Sequence, residues 1–402
     1  MLQRLYIHNF KTFQNFEFKP QGQSSSLLLG KNGAGKSSVA SALQVLQSIG
    51  RGVNRVGQLL TPRHFFCGQT AVPMRFEVEV LLQGQLYRYS LALELPDKFK
   101  ELRVLQERLE CDGHPIYERE QAQVSLRKLP DADTGDARFM VDWHLVALPL
   151  IQVQSASDPV HIFKTWLAQM VVIAPVPQQM EGNSSDESLW PTANASNAVD
   201  WLAGLLGQYP AAYTAIDGYL KEVMPDLRDF KYENLGKESK RLVIQFKSDD
   251  GALSLHFDEL SDGEKCFFLC ATIVAANQAY GPIFCFWDEP DNYLSLAEVG
   301  HFVMQLRRTF EARGQIVMTT HNEEAIRKFS KENTWVLGRK SHLEPTRLRL
   351  LGEFDPGTDI IQALMLGELE LRVSTSTNPM CSCFRKTTPT EKSPTAFFWH
   401  PA

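Results

Sequence analysis

Between Leu27 and Ser38 the sequence reads LLLGKNGAGKSS, an apolar run that breaks straight into a glycine-rich turn. The segment Gly30-Lys31-Asn32-Gly33-Ala34-Gly35-Lys36-Ser37 fits G-x-x-x-x-G-K-[ST] at every fixed position. The leucines predict a buried strand, and the apolar periodicity of Val39–Ile49 predicts a helix that opens at about Lys36. Strand, glycine turn and helix in that order restrict the fold to the α/β class. Glycines let successive backbone N–H groups point inward at an anion, where a side chain would block the approach. The helix start adds the positive end of its dipole. In this arrangement Lys36 reaches the β- and γ-phosphates of a nucleoside triphosphate, and the Ser37 hydroxyl ligates Mg²⁺. Residues Gly30 to Ser38 are therefore the expected nucleotide-binding segment.

Composition narrows the remaining choices. At 402 residues the chain is long enough for two domains or one large, elaborated one. A net charge of −6 argues against coating nucleic acid by bulk charge and leaves room for a local basic patch. The longest apolar run, Cys266–Ala276, falls short of the roughly 20 residues that span a bilayer. The opening MLQRLYIHNF lacks the apolar stretch of a signal peptide, so a cytoplasmic protein without a membrane segment is expected. The 7 cysteines are scattered and form no C-x-x-C, which suits buried free thiols in a reducing compartment. Cys266 and Cys270, one helical turn apart, read as core packing.

Read in order, residues 1–20 suggest two short strands joined by a turn at Phe10-Lys11-Thr12-Phe13. Met74–Val80 and Leu86–Leu95 alternate around Gln83-Gly84-Gln85 and predict a β-hairpin. Over 99–235 the pattern changes. Phe99–Glu110 and Asp200–Met224 show helical spacing, and Pro175–Asn197 reads as a loop, so a mainly helical insertion is expected. No heptad pattern persists long enough to encode a coiled-coil arm. Strand character returns at Arg241–Phe246 and Ala252–Phe257.

Three further motifs follow closely. Leu260-Ser261-Asp262-Gly263-Glu264-Lys265 precedes an apolar helical run. Ile283-Phe284-Cys285-Phe286-Trp287 is an apolar strand ending in Asp288-Glu289-Pro290. Ile316-Val317-Met318-Thr319-Thr320 is a second such strand, ending in His321. Taken singly, each has an ordinary structural explanation: an N-cap turn, a solvated pair of acids, a packed histidine. Open α/β sheets, however, place ligands at the carboxyl ends of their strands. The phosphate loop, the acid pair and His321 stand at three such ends.

With these motifs the chain resembles ABC-type ATPase heads of the SMC, RecF and OLD group, AAA-family ATP-binding proteins with a P-loop NTPase fold and a mixed β-sheet flanked by helices. The signature LSGGQ is present as LSDGEK, the Walker B strand as IFCFWDEP and the switch histidine as His321. The opening Leu5-x-Ile7-x-Asn9-Phe10-Lys11-x-Phe13 is similar to the start of SMC-like heads. The resemblance implies an ATPase that uses ATP and Mg²⁺, with Asp288 and Ser37 at the metal. Glu289 would then orient the attacking water, while Lys36 and His321 act on the γ-phosphate. Ser261 and Gly263 would contact the nucleotide held by the other subunit of a homodimer or larger homo-oligomer.

The implied role is a switch in DNA repair or anti-phage defence, with DNA and a separately encoded effector as partners. A transporter ATPase and a non-catalytic ATP-locked scaffold for a toxin partner are the competing expectations. Asp262 replaces the first glycine of the signature pair, and Ser295 stands where transporter heads carry the D-loop aspartate. Gln69 and Gln83 are the candidates for the Q-loop glutamine. Arg339, Lys340, Arg347 and Arg349 form a basic cluster that reads first as a solvated strand edge and second as a contact for nucleic-acid phosphate. OLD nucleases add a TOPRIM domain, and with only a short stretch between this cluster and the Ser/Thr/Pro-rich tail no nuclease is expected in this chain.

The expected division is 1–98 as an N-terminal ATPase lobe, 99–235 as the insertion and 236–371 as a C-terminal ATPase lobe. Residues 372–402, which include Cys381, Cys383 and Phe397-Phe398-Trp399, are expected to be a disordered tail.

Overall fold

The computed structural model describes residues 1–127, 137–152, 155–236, 239–249 and 251–353. The tail and its cysteine and aromatic motifs lie outside the described residues. Strands β1 (Leu2–His8) and β2 (Phe16–Phe18) pair antiparallel, and β3 (Ser25–Leu29) then leads through the glycine turn into α1 (Lys36–Gly50). After the one-turn α2 (Val56–Leu59) come β4 (Met74–Leu82), β5 (Gln85–Glu94), β6 (Arg103–Cys111), β7 (His114–Glu120), β8 (Gln123–Leu126) and β9 (Ala137–Met140). These form a meander that continues the first pair into a sheet of order β2-β1-β4-β5-β6-β7-β8-β9. Next are α3 (Pro159–Ala168), β10 (Val171–Ile173), β11 (Asn183–Ser184), α4 (Ala198–Gln208) and α5 (Ala212–Val223). The small sheet of β12 (Leu227–Asn234), β13 (Lys240–Ser248) and β14 (Gly251–His256), with β11 at its edge, precedes α6 (Asp262–Ala279). The chain then runs through β15 (Phe284–Trp287), α7 (Leu296–Ala312), β16 (Gln315–Thr319), α8 (Glu323–Arg327), β17 (Thr334–Gly338) and β18 (Arg347–Leu350).

The sheet that matters for the site has order β10-β15-β16-β3-β17-β18, with only β18 antiparallel to its neighbour. Every residue of β3, β10, β15 and β16 is buried. Strands covered on both faces need no polar side, which is why Leu27–Leu29, Val171–Ile173, Phe284–Trp287 and Ile316–Met318 read as apolar runs without alternation. One face packs with α1, α3 and the antiparallel sheet, and the other with α4, α5, α6 and α7. Gln315, itself buried, ties the two sheets together. Its side chain accepts from Leu2 N at 2.6 Å and donates to Gln23 O at 2.9 Å. The α/β, P-loop NTPase architecture expected from the motifs is the architecture present.

The helical expectation for Phe99–Glu110 is corrected: Arg103–Cys111 is a strand. Its alternation is masked because Glu107, a charged residue, lies on the buried face at 1% exposure. That carboxylate accepts from Tyr89 OH at 3.1 Å, Tyr117 OH at 2.8 Å, Ala147 N at 2.7 Å and Leu148 N at 2.9 Å, so its burial is compensated. Strands as well as helices therefore fill 99–235, and one of them, β10, borders the Walker B strand. The helices expected within Asp200–Met224 are α4 and α5. Cys111, Cys266, Cys270 and Cys285 are buried free thiols, and burial pushes Cys266 and Cys270 up to about 12. Among the described residues no helix is long and apolar enough to cross a membrane.

Candidate active site

The phosphate loop is fixed by contacts that exclude side chains. A Cβ on Gly30 would stand 2.7 Å from the Leu337 carbonyl oxygen, and one on Gly35 would stand 2.8 Å from the Thr12 hydroxyl. Gly33 and Gly35 have φ values of 79° and 112°, a left-handed conformation that glycine adopts without strain. Gly35 precedes α1, and no side chain caps that helix, so its first N–H groups are available to an anion. Lys31, Asn32, Gly33 and Ser37 are exposed along the loop, while Ala34, Gly35, Lys36 and Ser38 are buried. From behind, the Thr346 hydroxyl donates to Ala34 O at 2.7 Å, and Thr346 N donates to Thr12 O at 2.8 Å.

The acid pair follows β15 directly. Asp288 N donates to Ile173 O at 2.8 Å, which pins the turn to β10. The Thr319 hydroxyl donates to Asp288 Oδ1 and accepts from Glu289 N at 2.9 Å, so one side chain orients both acids. Ser37 Oγ donates to Asp288 Oδ2 at 3.2 Å. Glu289 has a φ of 51°, a strained value for a residue with a Cβ, on the order of 1 kcal/mol or more. The strain aims its carboxylate: Oε2 accepts from Asn292 Nδ2 at 2.7 Å, and Oε1 lies 3.3 Å from His321 Nε2 and 3.8 Å from Lys36 Nζ.

Lys36 is 6% exposed, and its ammonium donates to Gly30 O at 2.9 Å and meets His321 Nε2 at 2.6 Å. Burial pulls its pKa below the ordinary lysine value, while the charges of Glu289 and Asp288 act in the opposite direction. The next hydroxyl along, Thr320, donates to the buried Asp291 at 2.8 Å and accepts from Asn322 N at 2.9 Å, bracketing His321 on both sides. Burial raises the Asp291 pKa and the Thr320 bond opposes that rise. Lys36, Ser37, Asp288, Glu289 and His321 thus converge from three strand ends. Serine and carboxylate oxygens 3.2 Å apart are hard donors of the kind Mg²⁺ takes, and the glycine cradle beside them suits a triphosphate. The donor set fits both groups.

Ser261 and Gly263 are not part of that cluster. Ser261 caps α6 in a reciprocal box with Glu264, and a Cβ on Gly263 would meet the Tyr293 carbonyl oxygen at 3.0 Å. Among the described residues neither bonds to the phosphate loop. Asp262 is turned aside, its carboxylate accepting from the Gln178 amide. Ser295 caps α7 in its own box with Glu298. Gln69 is held by Asn9 and Gln14, Gln83 sits at the tip of the β4–β5 hairpin, and among the described residues neither bonds to the acids. Gln178 instead follows β10, the strand that pairs with β15, and its amide bonds Asp262 of the signature segment. Sequence reading missed it, along with Thr319, Asp291 and Asn292. The apolar triplet Val171–Ile173 that leads to Gln178 is too short to mark a strand.

Comparison with known proteins agrees with this fold. The profile of a family described as "AAA domain, putative AbiEii toxin, Type IV TA system" matches residues 25–138 and 153–327. No curated protein matches the chain. The crystal structure of an Smc head bound to the C-winged-helix domain of ScpA overlays with a TM-score of 0.53 at 14% identity, covering 87% of this chain and 98% of that one. The SMC head domain from Thermotoga maritima gives 0.45 at 12% identity, covering 87% of this chain and 98% of its own. An Smc head with an extended coiled coil, bound to the C-terminal domain of ScpA derived from Pyrococcus furiosus, gives 0.47 at 12%, covering 92% and 98%. At such identities the first of these speaks to the fold alone, which is that of an SMC-type ATPase head.

Proposed function

The chain belongs to the family described as "AAA domain, putative AbiEii toxin, Type IV TA system", and from that premise we propose that it is an ATP-hydrolysing switch, two copies of which close around ATP and Mg²⁺. The observation that carries this reading is the convergence of Lys36 on His321 at 2.6 Å, His321 on Glu289 at 3.3 Å and Ser37 on Asp288 at 3.2 Å. Lys36 and the loop N–H groups hold the β- and γ-phosphates. Ser37 and Asp288 hold Mg²⁺, which when bound offsets phosphate charge. Glu289 accepts a hydrogen bond from the attacking water, and His321 stands at the γ-phosphate. Water oxygen bonds to the γ-phosphorus as the bond to the ADP oxygen breaks, releasing ADP and phosphate.

Ser261 is exposed and makes no contact with the phosphate loop of its own chain, which supports its use by a second copy. Each subunit then supplies the loop for one site and the signature for the other. The Asp262–Gln178 bond supports the same arrangement, because it draws the carboxylate away from an incoming phosphate. A role in DNA repair or anti-phage defence, exercised through a separately encoded effector, is our proposal for what the switch governs. The family description, which names a toxin of a toxin–antitoxin system, is compatible with defence.

The test is Glu289→Gln, followed by ATP turnover and by size-exclusion chromatography with MgATP. Turnover should fall by about 10²–10⁴-fold, the range for a lost catalytic base, and an ATP-bound dimer should accumulate. A chain that stays monomeric with ATP refutes the clamp. Turnover unchanged by the substitution points to a nucleotide-locked scaffold instead.

A further inference from the structure

The basic cluster after the switch histidine is not uniformly solvated. Strand β17 lies beside β3, on the side away from β16. The connection from β17 to β18 passes over the phosphate loop and is fastened there by Thr346, which bonds Ala34 O and the Thr12 carbonyl. Arg339 opens this connection. A Cβ built on Gly33 would lie 3.2 Å from its guanidinium Nη2, so the side chain reaches across the glycine at the middle of the loop. Arg339 is half-buried, and among the described residues it has no hydrogen bond and no ion pair. A guanidinium carries five donors and stays charged at any physiological pH, so one held against a phosphate loop without a carboxylate partner has its donors available to phosphate oxygens.

We propose that Arg339 is a second phosphate-binding cation of this site, reaching the triphosphate across Gly33 from the flank opposite the one that carries His321. The proposal rests on the reading of the loop as an ATP site. It separates Arg339 from Arg347, which lies exposed on β18. Lys36 approaches from within the loop and Arg339 from outside it, so the triphosphate is gripped by cations on two sides. The Thr346 fastening keeps the second cation in place.

The experiment titrates a fluorescent ATP analogue with Mg²⁺ against the full chain, then displaces it with inorganic tripolyphosphate. Arg339→Ala should weaken both interactions by roughly tenfold, as for one lost charge-assisted hydrogen bond. Arg339→Lys should recover part of the loss, and Arg347→Ala should bind as the wild type does. Should Arg339→Ala prove unfolded by circular dichroism, Arg339→Gln serves, since it keeps the stem and removes the charge. If Arg339→Ala and Arg339→Gln bind both ligands normally while Lys36→Ala abolishes binding, the inference falls and the ATP site stands. A wild-type chain that binds no MgATP removes both. Variants that lose affinity for duplex DNA but not for ATP likewise overturn the proposal.

Discussion

Nζ of Lys36 lies 2.6 Å from Nε2 of His321, a contact that joins the phosphate loop to the end of β16 across 285 residues of chain. A charged ammonium only donates, so in this contact the ring nitrogen is the acceptor. Burial holds Lys36 below its ordinary value of 10.5, against the pull of Glu289 and Asp288. The cation is the form that grips phosphate, and it is lost as pH rises through the lowered pKa. Affinity for MgATP should therefore fall on the alkaline side earlier than an ordinary lysine would allow. Lys36→Arg, which stays charged, should flatten that limb in a fluorescence titration across pH.

Thr319 serves both acids through one hydroxyl, donating to Asp288 and accepting from Glu289 N. Thr319→Val keeps the shape and deletes both bonds. Loss of a partner that orients a metal ligand costs about 10–100-fold in metal affinity or activity. The Mg²⁺ concentration needed for half-maximal ATP turnover should rise by that order, with folding unchanged by circular dichroism. A Mg²⁺ requirement equal to that of the wild type contradicts the assignment.

The Gln178–Asp262 bond makes a distinct prediction about assembly. Gln178→Ala frees a carboxylate at the start of α6, and ATP-driven dimerisation should weaken while nucleotide binding by the monomer holds. Adding Asp262→Gly to that variant should restore dimerisation. A double-mutant cycle by analytical ultracentrifugation should give a coupling within about 0.5–3 kcal/mol. No coupling would mean that the bond has no part in assembly.

Glu107 supplies a stability prediction. It and Arg119 have side chains with 0% exposure, 3.8 Å apart. Glu107→Ala leaves that guanidinium without a carboxylate and orphans two tyrosine hydroxyls and two backbone N–H groups. Breaking such a buried set by removing one partner costs about 3–5 kcal/mol. Urea unfolding should show a loss in this range, and a loss below about 1 kcal/mol argues that the network relaxes or takes in water.

What the sequence made legible was the chemistry held by local spacing. Gly30 to Ser37, Asp288-Glu289 and His321 each sit at the end of an apolar run, and a strand that is buried on both faces announces its own end. Gln178 left no such trace, because its place depends on β10 lying beside β15, and a three-residue strand has too little pattern to detect. The Arg103–Cys111 strand was hidden for another reason. A satisfied buried glutamate on its inner face breaks the alternation that would have marked it. Arg339 looked like its neighbours in composition, and only the path of the connection that carries it brings it against Gly33. Spacing along the chain reports backbone geometry well and reports pairing between distant segments poorly.

The Gln315 side chain bonds to the backbone of Leu2, 313 residues away, and β3 takes both its neighbours, β16 and β17, from the same late stretch. A nascent chain emerging from the ribosome therefore carries the Leu27–Leu29 run of β3 with both edges bare until its final third is synthesised. Non-local pairing of this kind slows folding and exposes strand edges to association. Nascent chains cut short before β16 should then aggregate, and holding chaperones should raise the yield of the whole protein.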